Sequence, residues 1–411
     1  MFERIIQKHE SKIGAVGNVL EWYSFGLFMP FLPLLSEKFF PSENVMLKEM
    51  LSFLALAAGM FMRPFGAAIF GPIGDKFGRQ KAISVSVILM VIPTFLIGCL
   101  PDYGQIGIWA PILLVFLRAL QGISLGGEYT AAMVHLVEKA PKNRRGFYGC
   151  FSDAGSQAGV LLGGQSVVWV SRLFLPDEVM SFAWRIPFLL SVVLLPFAFL
   201  TPPKPDSAKP TQPREPIWKT LGLYKKEVGC TVAITAFSAV AFYTLLTFLP
   251  ACLVWNKVLR LEEAAACSVY ANLVMIVSII GGGYLTDFYG RKPFMISGII
   301  GVAAVACFMF SADVKSFEMW VLLQSLYGFF IGIYYSGRAA FFSESFPAKV
   351  RCTAVSLSLS VGQAVFGGLT PTVMNCLIKI AAFLPAAPLI CVSLCAIYAL
   401  KAMGKNEMSE D

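Results

Sequence analysis

The sequence predicts an all-α membrane protein of twelve transmembrane helices, arranged as two related halves of six. Three observations carry that prediction. Apolar runs of about 20 residues, each long enough to cross a bilayer, recur twelve times along the 411 residues. Lys and Arg gather in every second connection between the runs. Two short motifs of the first half return at matching places in the second. Composition closes off a soluble alternative: 57% of the residues are hydrophobic and 14% charged, too little polar surface to cover a globule in water.

The runs fall at roughly 13–35, 51–73, 82–100, 108–136, 146–171, 183–201, 228–254, 264–286, 293–312, 318–343, 353–378 and 384–401. The first is too long for a signal peptide and shows no small-residue cleavage site, so it is expected to stay as a helix. Charge sets the orientation. With the N-terminus inside, cytoplasmic segments hold 22 of the 33 Lys and Arg residues, external segments eight and the membrane three. That asymmetry is the positive-inside pattern and places both termini in the cytoplasm. The net charge of +8 is thereby a topology signal, and no nucleic-acid partner is expected. Between the halves, Thr201–Glu227 carries six prolines and six Lys or Arg residues and reads as an extended, solvated linker. The expected division is a first half at 1–201, a linker at 202–227 and a second half at 228–411.

The repeated motifs come next. Gly71-Pro-Ile-Gly-Asp75-Lys-Phe-Gly78-Arg79 is answered by Gly283-Tyr-Leu-Thr-Asp287-Phe-Tyr-Gly290-Arg291. Each copy lies between two apolar runs and reads as a tight, basic turn joining two membrane helices. Glu138-Lys-Ala-Pro141-Lys-Asn-Arg-Arg145 is answered by Glu344-Ser-Phe-Pro347-Ala-Lys-Val-Arg351. Gly122 to Pro141 and Gly328 to Pro347 are both 19 residues. The chain is a duplication, with a repeat far longer than a solenoid's. Asp75 and Asp287 are placed to cap a neighbouring helix N-terminus, or to pair with Arg145 and Arg351, while the cytoplasmic side is closed. The competing reading is that these turns only guide insertion.

The Gly-x-x-x-Asp-(Lys/Arg)-x-Gly-Arg turn, present in both halves, resembles the signature of the major facilitator superfamily. Within it, Gly17-Asn18-Val-Leu-Glu21-Trp22-Tyr23, Arg63-Pro64-Phe-Gly66, Gln121-Gly122-Ile-Ser-Leu-Gly126-Gly127-Glu128-Tyr129 and Asp153-Ala-Gly155 resemble the metabolite:proton symporter family. That family includes bacterial proline/betaine, shikimate and α-ketoglutarate carriers. The resemblance implies the major facilitator fold, transport of a small molecule by alternating access, protons as a partner, and a bacterial inner membrane. One departure stands out. The family writes Glu-Trp-(Tyr/Phe)-Asp in the first helix, and this chain has Glu21-Trp22-Tyr23-Ser24. The missing Asp is a candidate proton carrier in relatives, so symport and uncoupled facilitation both stay open.

Charges inside the membrane each cost about 2.5–3.5 kcal/mol on the insertion scale, which makes each a functional candidate. At about 1.5 Å per residue, Glu21, Asp153, Glu128 and Arg63 fall roughly 10–15 Å from the cytoplasmic side, and Arg118 about 15 Å further out. Three carboxylates near a guanidinium suit proton coupling, with Glu128 the first choice. A static network holding the helices together is the alternative. The second half is poor in such charges. Arg338 is its clear intramembrane ion, while Tyr243, Asn272, Gln324, Tyr327, Tyr334 and Tyr335 supply polar tips and aromatic faces for substrate. Gln324 stands where the repeat puts Arg118.

The ten cysteines show no Cys-x-x-Cys spacing and His135 has no companion ligand, so no metal or cofactor is expected. No phosphate loop appears, which argues against an ATP-driven pump. The reading is a monomeric, non-enzymatic secondary transporter in the lipid bilayer, importing a small polar metabolite; a facilitator and a non-transporting nutrient sensor are the rivals. Lys81→Cys, Lys209→Cys and Lys405→Cys, each in a cysteine-free background, are expected to stay shielded from an impermeant maleimide in intact cells, while Asn44→Cys and Lys315→Cys label. Labelling of Lys209→Cys from outside overturns the map.

Overall fold

The computed structural model describes residues 19, 21–77, 79–126, 128–194, 222–312, 314–348 and 350–403. No strand occurs among them. The first half contains α1 (Phe28–Phe39, continuing helical residues 21–26), α2 (Val45–Phe77), α3 (Arg79–Cys99), α4 (Trp109–Ser124), α5 (Glu128–Lys139), α6 (Arg145–Leu173) and α7 (Arg185–Leu190). The second contains α8 (Lys225–Trp255), α9 (Leu261–Tyr289), α10 (Arg291–Ser311), α11 (Phe317–Glu344), α12 (Arg351–Ile380) and α13 (Ala386–Ala402). Helices α4 and α5 together make the fourth span, which gives twelve. Among the described residues, six helices are long and apolar enough to cross a membrane by length and composition, and 85–99, α4 and α13 are shorter apolar helices. Helix α6 has 29 residues, but its Ser, Gln, Asp and Gly content lowers its apolarity because it packs against protein on several sides.

Two expectations change. The fourth apolar run breaks at Leu125–Gly126 and resumes at Glu128, as helix-weakening consecutive glycines favour. The repeated basic turns are mostly helix: α2 runs to Phe77, and α9 runs to Tyr289. What joins α9 to α10 is Gly290 alone, at φ +88°, a backbone region that glycine enters without strain. The linker and the half boundaries fall largely at 195–221, outside the described residues.

The repeat is written into the packing. A methyl group on Gly122 of α4 would sit 1.8 Å from the carbonyl oxygen of Gly59 in α2. A methyl on Gly328 of α11, its counterpart in the repeat, would sit 2.4 Å from the carbonyl oxygen of Ala271 in α9. The same small residue lets the same pair of helices touch backbone to backbone in both halves. The halves meet along two seams, α6 against α9 and α11, and α2 against α12.

Gly122→Leu and Gly328→Leu are therefore expected to lower the Tm of the purified protein and its membrane yield, since overpacking costs about 1–3 kcal/mol or more. Gly229→Leu faces open space and is expected to leave both unchanged. Equal behaviour of the three variants overturns this account.

Candidate functional site

A cavity of about 20 Å³ lies between the halves, room for roughly one water. Trp22, Tyr129 and Asp153 of the first half and Tyr243, Tyr335, Arg338 and Gln363 of the second line it. The centre of this wall is a charge pair. Arg338 of α11 donates to Asp153 of α6 and to the Tyr129 hydroxyl of α5, and Tyr129 donates to the same Asp153 Oδ1 at 2.5 Å. The Arg338 guanidinium lies 4.3 Å from the centroid of the Tyr335 ring, an aromatic face that favours a cation. All four residues are buried. Each ion has its partner in the other half, so the pair exists only while the halves are together.

A second bridge lies beside it. Arg63 of α2 donates to Gln363 Oε1 of α12 at 2.9 Å, with its guanidinium 5.9 Å from the Trp22 ring. Glu21 is buried and within electrostatic reach of Arg63. Gln363 opens a π-helical turn, Gln363–Gly367, and Tyr243 directly precedes another, Thr244–Phe248. Such turns widen a helix locally and recur at functional sites. Here they set α8 and α12 around the cavity. The Tyr243 hydroxyl donates to Met60 Sδ at 3.1 Å, so this aromatic also joins the halves.

Other candidate residues lie elsewhere. Arg118 is inside the first half, donating to Gln121 Oε1 at 2.7 Å, between the rings of Phe25 and Phe28. Tyr327 and Tyr334 are buried, and their hydroxyls donate to the backbone carbonyls of Ala241 and Ile234; they anchor α11 on α8. Asn272 lines a separate small cavity and donates to the Gln157 carbonyl across the halves at 3.2 Å. Gln324 is buried in α11. Glu128 opens α5, and Gly71, Asp75 and Arg79 lie in or beside the end of α2; their side chains, and Gly78, lie outside the described residues.

The face where α9 meets α10, here the basic face, is closed by the repeated motifs. Asp287 accepts the backbone N–H groups of Gly146 at 2.7 Å and Phe147 at 2.9 Å. These are the first amides of α6, which lack partners within their own helix and carry the positive end of its dipole. Arg291 holds Asp287 at 3.5 Å and Glu344 at 3.1 Å. Arg351 donates to Glu138 at 2.7 Å, and Glu344 lies within electrostatic reach of Arg145. The two copies of the Glu-Pro-Arg motif thus face each other reciprocally, as a pseudo-twofold axis requires.

Trp22, Tyr129, Arg338 and Gln363 line the cavity without having been assigned to it from sequence. Arg338 was visible as an intramembrane charge, but no spacing rule points from it to Asp153, 185 positions away. Gln363 carried a weaker signal, a polar residue in an apolar run before Gly367-Gly368.

Two six-helix halves around a central polar cavity, with the basic face closed by the repeated motifs, have the architecture of a membrane transporter. Comparison with known proteins agrees. Residues 12–208 match the Sugar (and other) transporter family and residues 262–407 the Major Facilitator Superfamily. A Staphylococcus aureus (strain COL) protein named for proline/betaine transport is 34% identical over 380 residues, covering 88% of this chain and 80% of that protein. The citrate-proton symporter of Klebsiella pneumoniae is 31% identical over 386 residues, 90% and 86% of the two chains. The crystal structure of a D-xylose-proton symporter superposes with a TM-score of 0.75 at 16% identity, covering 96% of each chain. The chain belongs to the major facilitator superfamily and is a multi-pass membrane protein with its twelve-helix fold.

The closed basic face makes a measurable statement. Cys150 is buried there against Gly283. Asp287→Asn removes the charge at the helix end, a loss of about 1 kcal/mol, and is expected to speed maleimide labelling of Cys150 roughly fivefold in detergent with the other cysteines replaced. A methyl on Gly146 would sit 2.7 Å from Asp287 Oδ1, so Gly146→Ala is expected to act in the same direction. Unchanged labelling in both variants overturns the gate.

Proposed function

We propose that this protein is a proton-coupled importer of a small metabolite bearing a carboxylate, and that the Asp153–Arg338 pair across the halves is the coupling element. The buried pair carries the reading. While the halves are closed, Asp153 is neutralised by Arg338. When they part, a carboxylate in a low-dielectric cavity loses that partner and is neutralised instead by a proton. Arg338 is freed in the same movement and can take a substrate carboxylate, with Tyr129 as a hydroxyl partner. The faces of Trp22, Tyr243 and Tyr335 suit a cationic nitrogen. A zwitterion such as proline or betaine satisfies both ends, which accords with the names of the relatives; an organic acid satisfies the cationic end alone.

In this reading the segments 1–201 and 228–411 rock as two bodies joined by the 202–227 linker around the cavity. The protein acts as a monomer in the bacterial inner membrane, the basic face and both termini are cytoplasmic, and Glu128, Glu21 and Arg63 complete the charged layer. Ser24 favours one second reading, uncoupled facilitation, because it cannot carry a proton.

Radiolabelled uptake into proteoliposomes tests the proposal, starting with a screen of proline, betaine and organic acids. Wild-type accumulation is expected to follow an imposed pH gradient and to collapse with it. Asp153→Asn is expected to lose accumulation but keep substrate-for-substrate exchange, since the amide imitates the protonated acid. Uptake indifferent to the gradient in wild type establishes facilitation. Loss of exchange as well in Asp153→Asn removes Asp153 from proton transfer.

A further inference from the structure

Alternating access needs a closure on each face, and the repeated motifs supply only the basic one. We propose that Glu49, Asn375 and Lys379 form the latch that closes the opposite face. The inference rests on the reading of two rocking halves, and not on the substrate or on coupling to protons.

Glu49 lies near the start of α2, on the side of the membrane away from Phe77 and Gly290. Only 1% of it is exposed. It accepts from Asn375 Nδ2 at 3.0 Å and pairs with Lys379 at 3.1 Å, both on α12. Every partner it has in these contacts comes from the other half. A buried carboxylate stripped of its partners is strongly unfavourable unless water reaches it, so closure without this pairing and pairing without closure are both disfavoured. That is the property a latch requires. Aromatic contacts lie beside it: Trp255 at the end of α8 donates to Ser36 of α1 at 3.3 Å and meets the Phe53 ring edge-on at 5.2 Å.

Among the described residues, the other ion pair that joins the halves on this face, Arg172–Glu262 at 2.8 Å, has side chains 66% and 37% exposed. Solvent-exposed pairs contribute little, so it is not the latch. None of the latch residues belongs to either repeated motif, and the counterpart of Glu49–Lys379 in the repeat is this exposed pair, so the buried closure is made on one side only.

Cys252 provides a native reporter. It is buried on α8, bonded by Asn256 at 3.2 Å, and lies within electrostatic reach of both Glu49 and Lys379. With the other cysteines replaced, maleimide labelling of Cys252 is followed in detergent, without substrate or pH gradient. Glu49→Gln and Lys379→Met are each expected to speed labelling about tenfold, as a shift of the closed–open equilibrium demands. The two substitutions change the local charge in opposite senses, so a rise in both reports opening and not altered thiol ionisation. Glu49→Lys combined with Lys379→Glu is expected to restore slow labelling, and Lys379→Arg to behave as wild type. Lys379 is partly exposed, so Lys379→Met against Lys379→Arg decides the matter if Glu49→Gln fails to fold. Equal labelling in that pair, or opposite changes in Glu49→Gln and Lys379→Met, overturns the latch. Because transport is not measured, failure of the coupling mechanism leaves this result unaffected.

Discussion

The contact on which the rest of the molecule depends is the one between Asp153 and Arg338. Taking two ions out of water is expensive, and their attraction about offsets that cost when the geometry is good. The pair therefore adds little net stability to the closed form. Its effect lies in the alternative: separating the ions without water, proton or substrate leaves two uncompensated charges, which costs about 3–5 kcal/mol. Tyr129 and Tyr335 strengthen this dependence by giving the guanidinium a hydroxyl and an aromatic face. The halves are thus free to part only when something replaces the partner each ion loses. That is a physical basis for linking movement to cargo.

The two faces close by different chemistry. On the basic face a carboxylate grips backbone amides at a helix start, a contact that needs glycine at position 146 because a side chain there would meet Thr286 and Asp287. The motif that supplies this carboxylate recurs in the two halves as Asp75 and Asp287, so it left a sequence signature. On the opposite face, side chains meet side chains. The repeat sets the helix pairs there too, Glu49–Lys379 between α2 and α12 and Glu262–Arg172 between α9 and α6, but the first is buried and the second exposed, and no shared motif marks them.

This difference also explains what could be read from the sequence. The spans follow from apolar length, and the duplication from recurring glycine, proline and charge spacings such as Gly122–Pro141 and Gly328–Pro347. Intramembrane ions were legible because their cost demands a reason. Their partners were not. Residue 153 meets residue 338, and residue 63 meets residue 363, through tertiary contacts that no helical period encodes. Depth along a helix placed Arg118 about 15 Å beyond the carboxylates but gave no direction for its side chain, and the structure turns it towards Gln121, Phe25 and Phe28. Tyr327 and Tyr334 show the reverse error. Their hydroxyls answer backbone carbonyls of α8, a need of the helix that sequence alone does not display.

Ser24 then gains a sharper meaning. Where relatives of the metabolite:proton symporter type carry an Asp on the first helix, this chain keeps a buried hydroxyl. Among the described residues, the carboxylate that lines the cavity is Asp153, and its partner stands on the opposite half. A proton carrier confined to the first half can change its charge without the halves moving. One paired across the halves cannot, because its guanidinium is withdrawn by the same motion that opens the site. If Asp153 carries the proton, proton exchange and conformational change are a single event, and leakage of protons through a closed protein is suppressed by Arg338 itself. Lacking the titratable group of the first helix therefore need not abolish coupling; with Asp153 of the α6–α11 seam as carrier, coupling is tied to the opening of the cavity.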